Sequence, residues 1–269
     1  MDIHELTEKL GFCSEAKFLI FQADSSYDHD ALKPCWQKLY DGRQNEGIAD
    51  LRTALAPDEN GMKRLACMLH CSLYTYELYM KKKIPKDIFF ATMDFLPRFV
   101  NASQTVNGRC TFTWDWWFYR QLSLQEFRLG AFEYEMIEAN GEKTLSLHIP
   151  SKADLSQRSF SDSVSSARMF FTRFFPDYAN AEIMCDSWLL SPALGELLPT
   201  SSRILRFASN FQLERWDKES TAALDWIFPK KDIPLAELSE NTSLQRAAKA
   251  YLVNGGSIGW ALGKLKTLD

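Results

Sequence analysis

The middle of the chain has the clearest pattern of apolar and polar positions. Phe127 to Ile137 and Lys143 to Ile149 are two short stretches rich in aromatic and aliphatic residues. Asn140-Gly141 lies between them, and these two residue types tolerate the positive φ angles of a tight turn. The pattern therefore predicts an antiparallel hairpin, whose second strand ends at Pro150.

A helix and another strand are expected directly after the hairpin. Apolar residues recur at helical spacing from Phe160 to Phe175, and Ser159 or Ser161 is available as the N-cap. After Pro176, the apolar stretch Ala181 to Leu190 predicts a return to the sheet. The local order is strand, strand, helix, strand.

The flanking regions differ from this centre. Residues 1 to 110 have helical patterns throughout, and the polar stretch Asn101 to Arg109 is typical of a loop. We therefore expect two domains, a helical one over residues 1–110 and a second one over residues 111–269. Towards the end of the chain, Phe211 to Trp216 and Ala222 to Phe228 suggest a second hairpin, and Ile258 to Leu268 is expected to be partly helical.

Composition narrows the functional classes. The formal charge of −4 provides no general positive field, so neither nucleic acid nor an anionic membrane surface is an expected partner. No apolar run reaches the roughly 20 residues that a membrane helix needs, and the N-terminus lacks the features of a signal peptide. We expect a cytoplasmic protein.

The six cysteines are scattered and include no C-x-x-C pair, so they are expected to be reduced thiols. Cys67, His70 and Cys71 lie at positions i, i+3 and i+4 of a predicted helix, a spacing that places possible metal ligands on one face. No fourth ligand is near in sequence. Packed thiols and a hydrogen-bonded histidine are the favoured interpretation, and no metal is expected.

Several motifs carry a resemblance to a known family. They are RLGAFEYE, LSLHIPSKADL, FF-x-x-FFP, CDSWLLSPAL, SNFQL, WIF and TSLQRA, in this order. The chain resembles a bacterial family of acyltransferases in which a helical N-terminal domain precedes a GNAT-like domain, the fold of the acyl-CoA N-acyltransferases. The resemblance implies an α+β or α/β fold class, with a mixed sheet and flanking helices. The strand order read from the residues agrees with this fold.

The resemblance also implies acyl-CoA as a co-substrate. A GNAT enzyme binds its donor at the turn that leads from the central strand into the next helix, because a helix N-terminus attracts a pyrophosphate. Here that region is Ser151 to Ser163, and it contains no glycine. The candidate donor-binding residues carry hydroxyl groups or positive charge: Ser151, Lys152, Arg158, Ser159 and Ser161. An acyl carrier protein is the alternative donor.

Transfer of an acyl group to an amine requires a base for the amine and an acid for the leaving thiolate. His148, at the end of a predicted strand, is the first candidate base, and Glu133 and Glu135 on the preceding strand are the next. Tyr178 is the candidate acid. The expected acceptor is an amine on a small molecule or a peptide.

Two other functions remain open from the sequence. Cys185 beside His148 would form a thiol–imidazole pair and take the acyl group covalently, although a strand cysteine is more often buried and inert. Alternatively, the domain has lost catalysis and binds a ligand or a protein, which would explain the turn without glycine. The fold by itself does not decide between these functions.

Overall fold

The computed structural model describes residues 1–228 and 233–267. By its internal contacts the chain divides into two compact units, Met1–Arg128 and Leu129–Asp269. The predicted boundary after residue 110 stays a prediction. Among the described residues, no helix combines the length and the apolar character that crossing a membrane requires.

The first unit is helical. Its helices are α1 (Ile3–Leu10), α2 (Ser14–Asp24), α3 (Lys33–Trp36), α4 (Gln44–Ala54), α5 (Met62–Lys82), α6 (Lys86–Met93), α7 (Phe95–Asn107) and α8 (Asp115–Leu122). The strand β1 (Glu126–Leu129) runs across the boundary between the units.

The predicted loop from Asn101 to Arg109 is wrong for most of its length, because α7 continues to Asn107. Polar residues are compatible with the exposed end of a helix, and Gly108 then ends it with a φ of 68°. The change to polar residues after Val100 therefore indicates the solvent-exposed end of a helix, where a loop was predicted.

A buried ion cluster connects three helices of the first unit. The Asp115 carboxylate at the start of α8 is 1% exposed, and it accepts hydrogen bonds from Arg52 of α4 at 2.7 and 2.8 Å. Arg64 of α5 donates to the same carboxylate at 2.8 Å and to Asp58 at 2.9 Å. The aromatic helix α8 is thus held by charge-assisted bonds as well as by its apolar side chains.

The second unit contains a mixed sheet with flanking helices, which confirms the predicted fold class. Its strands are β2 (Phe132–Ala139), β3 (Glu142–His148), β4 (Glu182–Ser187), β5 (Phe211–Asp217) and β6 (Trp260–Leu265), and they lie in the order β2-β3-β4-β6-β5. Its helices are α9 (Gln157–Phe174), α10 (Leu194–Leu197), α11 (Arg203–Ser209), α12 (Leu224–Ile227) and α13 (Ser243–Val253).

The central hairpin forms around Asn140-Gly141 as predicted, but its first strand is shorter than expected. The predicted strand over residues 127–137 is interrupted after Leu129, where Gly130 has a φ of 70°, and β2 begins at Phe132. β2 and β3 are antiparallel from Glu133 opposite His148 to Ala139 opposite Glu142. Asn140 and Gly141 connect them with φ angles of 54° and 81°. Both residues of the turn therefore adopt the left-handed conformation that the pair Asn-Gly accepts most readily.

The C-terminal part of the sheet differs from the prediction. β5 pairs with β6, from Phe211 opposite Leu265 to Asp217 opposite Trp260, and not with residues 222–228. That segment instead contains the short helix α12, whose Ile227 contributes to a buried apolar cluster. The segment expected to be partly helical from Ile258 contains the strand β6, and its last predicted residue, Leu268, lies outside the described residues.

Candidate active site

Two parallel strands separate at one edge of the sheet. β3 and β4 pair only from Thr144 with Glu182 to Ser146 with Met184. Beyond this point β3 stays paired with β2 as far as His148, and β4 stays paired with β6 as far as Ser187. The carboxyl ends of β3 and β4 therefore diverge, and ligands of open α/β sheets bind outside the carboxyl ends of the strands.

His148 is the last residue of β3 and lies where the strands diverge. Its Nε2 atom is 2.9 Å from Oε2 of Glu135, and the side chains are 22% and 13% exposed. Glu133 lies directly opposite His148 in the register and is buried. The structure thus brings the candidate base and both candidate glutamates to one face of the hairpin.

Cys185 is not brought together with His148. Leu145 of β3 lies opposite Ile183 of β4, so the alternation of side chains places Cys185 on the face of Leu145 and Leu147, and His148 on the other face. The thiol is fully buried, and this burial raises the pKa of Cys185 far above its ordinary value. The predicted thiol–imidazole pair is therefore contradicted, because its members lie on opposite faces of the sheet and the thiolate is disfavoured.

Tyr178 also lies away from His148. It follows α9 in a short turn, and the Lys143 ammonium lies 5.6 Å from the centre of its ring. Lys143 and His148 are at opposite ends of β3, about 16 Å apart at the rise of a strand. The prediction that Tyr178 protonates the thiolate beside His148 is thus not supported by the geometry.

The turn after β3 leads into α9. The helix begins at Gln157, with Ser156 as N-cap accepting from the amide of Ser159 at 3.3 Å. The predicted N-caps Ser159 and Ser161 are wrong, because the first helical turn is polar and the apolar spacing becomes visible only at Phe160. Lys152 has a φ of 67°, so the turn takes a left-handed conformation without glycine.

The candidate donor-binding residues separate into two groups. Arg158 and Ser159 line a pocket of about 270 Å³ at the start of α9, together with Asp154 and Ser156. Ser151 and Lys152 are exposed in the preceding turn. Ser161 lines a different pocket, farther along the helix. A donor phosphate at the start of α9 would therefore meet Arg158 and Ser159, but not Ser161.

Asp154 already occupies part of this helix end. Its carboxylate accepts from the amide of Ser156 at 3.0 Å and from the Ser156 hydroxyl at 2.8 Å. The backbone hydrogen bond from Ser156, followed by that from its hydroxyl, lowers the pKa of Asp154. A carboxylate of this chain thus uses one of the amides that an anion would contact, while the amides of Gln157 and Arg158 lie in the first turn, where no helical acceptor exists.

The group of Cys67, His70 and Cys71 lies in the first unit. Both thiols are buried on α5, and Nε2 of His70 is 2.8 Å from Oδ1 of Asp24. Hydrogen bonding by Cys71 lowers the pKa of Cys67, with a further contribution from His29. The contribution of His29 was not expected from the sequence, because this residue is distant from α5 along the chain.

Two family models match the chain. The model of the GNAT-like C-terminal domain matches residues 98–265, which is more than half of the chain. The chain belongs to this family. The model of the N-acyltransferase N-terminal domain matches residues 1–124. Both halves of the predicted family resemblance are confirmed.

Solved structures of acyltransferases have a similar fold. A crystal structure of an acyltransferase in complex with decanoyl-CoA and teicoplanin is 23% identical, with a TM-score of 0.80 over 98% of this chain and 87% of that chain. A mutant acyltransferase in complex with octanoyl-CoA is similar to the same extent, with 23% identity, a TM-score of 0.80, and coverage of 98% and 87%. At this identity the likeness shows the fold. No curated protein matches the sequence.

Proposed function

We propose that this GNAT-like protein transfers an acyl group from acyl-CoA to an amine. The observation that carries the proposal is the divergence of β3 and β4 with His148 at the end of β3. The chain also matches the models of a GNAT-like C-terminal domain and of an N-acyltransferase N-terminal domain. A thioester arm needs an open slot between strands, and the reaction needs a base at the end of that slot. We propose that the carboxyl ends of β3 and β4, beyond their last paired residues, provide the slot, and that His148 provides the base.

His148 is the proposed general base. The amine nitrogen attacks the thioester carbonyl carbon, the new C–N bond forms, and the C–S bond breaks to release the CoA thiolate. The proton lost by the amine passes to the imidazole, whose ordinary pKa is near neutral. Glu135, 2.9 Å from Nε2, orients the ring and stabilises the imidazolium that forms.

The proposed donor site consists of the connection between β3 and α9 and of the first helical turn of α9. Its positive charges are Lys152 and Arg158, and the first-turn amides of Gln157 and Arg158 supply N–H groups for a pyrophosphate. Ser159 adds a hydroxyl in the adjoining pocket. Because Asp154 opposes a polyanion here, we expect weaker donor binding than a glycine-rich turn would give.

The similar structures suggest the kind of donor and acceptor. Acyltransferases of this fold have been solved with decanoyl-CoA, with octanoyl-CoA and with teicoplanin. We propose a medium-chain acyl-CoA as the donor and an amine on a small molecule or a peptide as the acceptor. An acyl carrier protein remains the alternative donor, since it presents the same pantetheine thioester.

The test uses purified protein and a series of CoA thioesters of increasing chain length. A ligand that binds only the native state raises the thermal midpoint, by about 2.7 kcal/mol of stabilisation at 100 times its Kd. We expect such a rise with thioesters, and release of free thiol when a panel of amines is added. A rise without thiol release for any amine would favour the non-catalytic binding module.

No rise with any CoA thioester would contradict acyl-CoA as the donor, and the same assay with an acylated carrier protein would then test the alternative. The variant Arg158→Gln tests whether CoA binds at the proposed donor site. The Arg158 side chain is 93% exposed, so its replacement should not disturb the fold. It should reduce the midpoint rise caused by CoA.

A further inference from the structure

A second pocket, of about 490 Å³, lies beside the middle of α9. It is lined by residues of α9, of β4 with its preceding turn, and of the end of β6 with the two residues that follow it. Its volume is in the range of small-molecule sites. None of these residues lines the pocket at the start of α9.

The pocket lies at the opposite edge of the sheet from the proposed active site. Glu182 is the first residue of β4, whereas β3 and β4 diverge at the other end of the strand. β6 runs antiparallel to β4, so its last residues reach the same edge as Glu182. The donor at the diverging strands would therefore not fill this pocket.

Arg168 is the central cation of the pocket. Its Nη1 donates to the carbonyl oxygens of Ala179 and Ala181, at 3.3 and 2.6 Å. Within residues 1–228 and 233–267, the guanidinium has no carboxylate partner, and its Nε and Nη2 have no acceptor. Partial burial lowers the pKa of Arg168, as is expected for a cation that has lost part of its hydration.

Polar groups without partners surround this cation. Ser161, Ser165 and Arg168 lie on one stripe of α9, because they are four and three residues apart. The structure gives the side chains of Ser161, Ser165 and Asn180 no hydrogen-bond partner in the described part of the chain. These polar side chains line the same pocket, from the helix and from the turn before β4.

The charge of the pocket is positive. Glu182 is its single carboxylate among the described residues, and it is paired with Lys264. Lys266 donates to the carbonyl oxygen of Ser209 at 2.8 Å and, like Arg168, has no carboxylate partner among the described residues. The apolar side chains of Val164, Ile183 and Leu265 form the remaining wall.

We propose that this pocket binds an organic oxyanion, with the charged group on Arg168 and an apolar body against Val164, Ile183 and Leu265. The planar guanidinium fork matches a carboxylate or a phosphate through two parallel hydrogen bonds, and charge-assisted bonds of this kind are the strong ones. Ser165 and Asn180 complete the oxygen contacts. The site is separate from the donor site and from His148.

The test measures binding of hexanoate and of hexyl phosphate by calorimetry, with hexanol as the uncharged probe of the same length. We expect one or both anions to bind and hexanol not to bind. Hexanoate alone would identify a carboxylate site, and hexyl phosphate alone a phosphate ester site. If neither anion binds, the proposal is overturned.

Two variants locate the binding. Ser165→Asp places a carboxylate three residues before Arg168 on the same stripe, so it should pair with the guanidinium, leave the fold intact and raise Kd about tenfold or more. Arg168→Lys keeps the charge but loses the fork, and should also weaken binding. Arg173→Gln is the matched control, because it changes the net charge as much as Ser165→Asp does and lies outside the pocket.

Unchanged affinity in both Ser165→Asp and Arg168→Lys would place the anion elsewhere and refute the site. An equal loss in Arg173→Gln would indicate a general effect of charge and would refute it as well. Binding of CoA serves as an independent readout, since it should be the same in Ser165→Asp and in the unmodified protein.

Discussion

Replacing Asp115 by Asn should strongly destabilise the first unit. The carboxylate is 1% exposed and accepts two bonds from Arg52 and one from Arg64. Asn keeps the shape but removes the charge, so two guanidinium groups lose their shared anion. Removing one partner of a buried ion pair costs about 3 to 5 kcal/mol. We expect the lower end, about 3 kcal/mol, because Arg52 is 48% exposed and can be hydrated.

The corresponding change in the thermal midpoint follows from the size of the unit. At about 2.1 cal/mol/K per residue, the 128 residues of the first unit have an unfolding entropy of about 270 cal/mol/K. A loss of about 3 kcal/mol then lowers the midpoint by about 11 °C if this unit unfolds independently. It lowers the midpoint by about 5 °C if the 269 residues unfold together.

The same carboxylate predicts a dependence on pH. Burial would raise the pKa of Asp115, but the hydrogen bonds from Arg52 and Arg64 hold it below its ordinary value of 3.8. A depressed folded-state pKa gives a stabilisation that is complete above pH 3.8 and is lost as the pH falls through the folded value. In Asp115→Asn, the free energy of unfolding should therefore fall less on acidification than in the unmodified protein, because the titrating carboxylate is absent.

Urea unfolding of both proteins at neutral pH and at acid pH measures these effects. Asp41→Asn is the control, because Asp41 forms an exposed pair with Arg43 at 2.7 Å and should change stability by less than about 1 kcal/mol. If Asp115→Asn were as stable as this control, the ion cluster would not hold the helices as we describe.

Three further predictions follow from the geometry. Cys185→Ala and Tyr178→Phe should each keep the rate of thiol release within about twofold of that of the unmodified protein, because neither side chain reaches His148. A loss of about a hundredfold in either variant would show that the replaced side chain takes part in the reaction. Gly61→Ala should lower the free energy of unfolding, measured in urea, by about 3 kcal/mol or more, because φ is 76° and the new Cβ would lie 1.9 Å from the Phe112 carbonyl oxygen. Near-normal stability of this variant would contradict the close approach of the two backbone segments. Asp154→Asn should bind CoA about two- to fivefold more tightly in calorimetry, because it removes a negative charge from the start of α9; weaker binding would contradict the proposed donor position.

The elements predicted most accurately from the sequence are those whose conformation depends on residues close together in the chain. The Asn140-Gly141 turn specified its hairpin, since both residues must adopt positive φ and few other pairs do so readily. The apolar spacing of α9 was equally clear, although its polar first turn moved the start of the helix to Gln157. These features depend on neighbouring residues only.

The wrong predictions of secondary structure concern elements whose conformation depends on contacts between distant parts of the chain. β5 was recognised as a strand, but its partner β6 lies more than 40 residues later, and the nearer segment at residue 222 was assigned instead. β6 itself reads WALGKL, which contains a glycine and no β-branched residue, so its preference for a strand is weak. Its position between β4 and β5 decides its conformation.

The candidate site was predictable in part. The position of His148 at a strand end was visible, and the shared face with Glu133 and Glu135 follows from the alternation of the hairpin. The face of Cys185 relative to His148 depends on the register between β3 and β4, which the sequence does not contain. The same is true of the pocket around Arg168, whose lining residues come from three separate segments.

The role of His148 as the base is tested by the rate at which His148→Ala releases CoA from decanoyl-CoA in the presence of an acceptor amine. Loss of a general base should lower kcat about a hundredfold or more, while the rise in thermal midpoint caused by decanoyl-CoA stays the same. His4→Ala, a histidine of the first unit, is the control. Full activity of His148→Ala, with normal donor binding, would contradict the account.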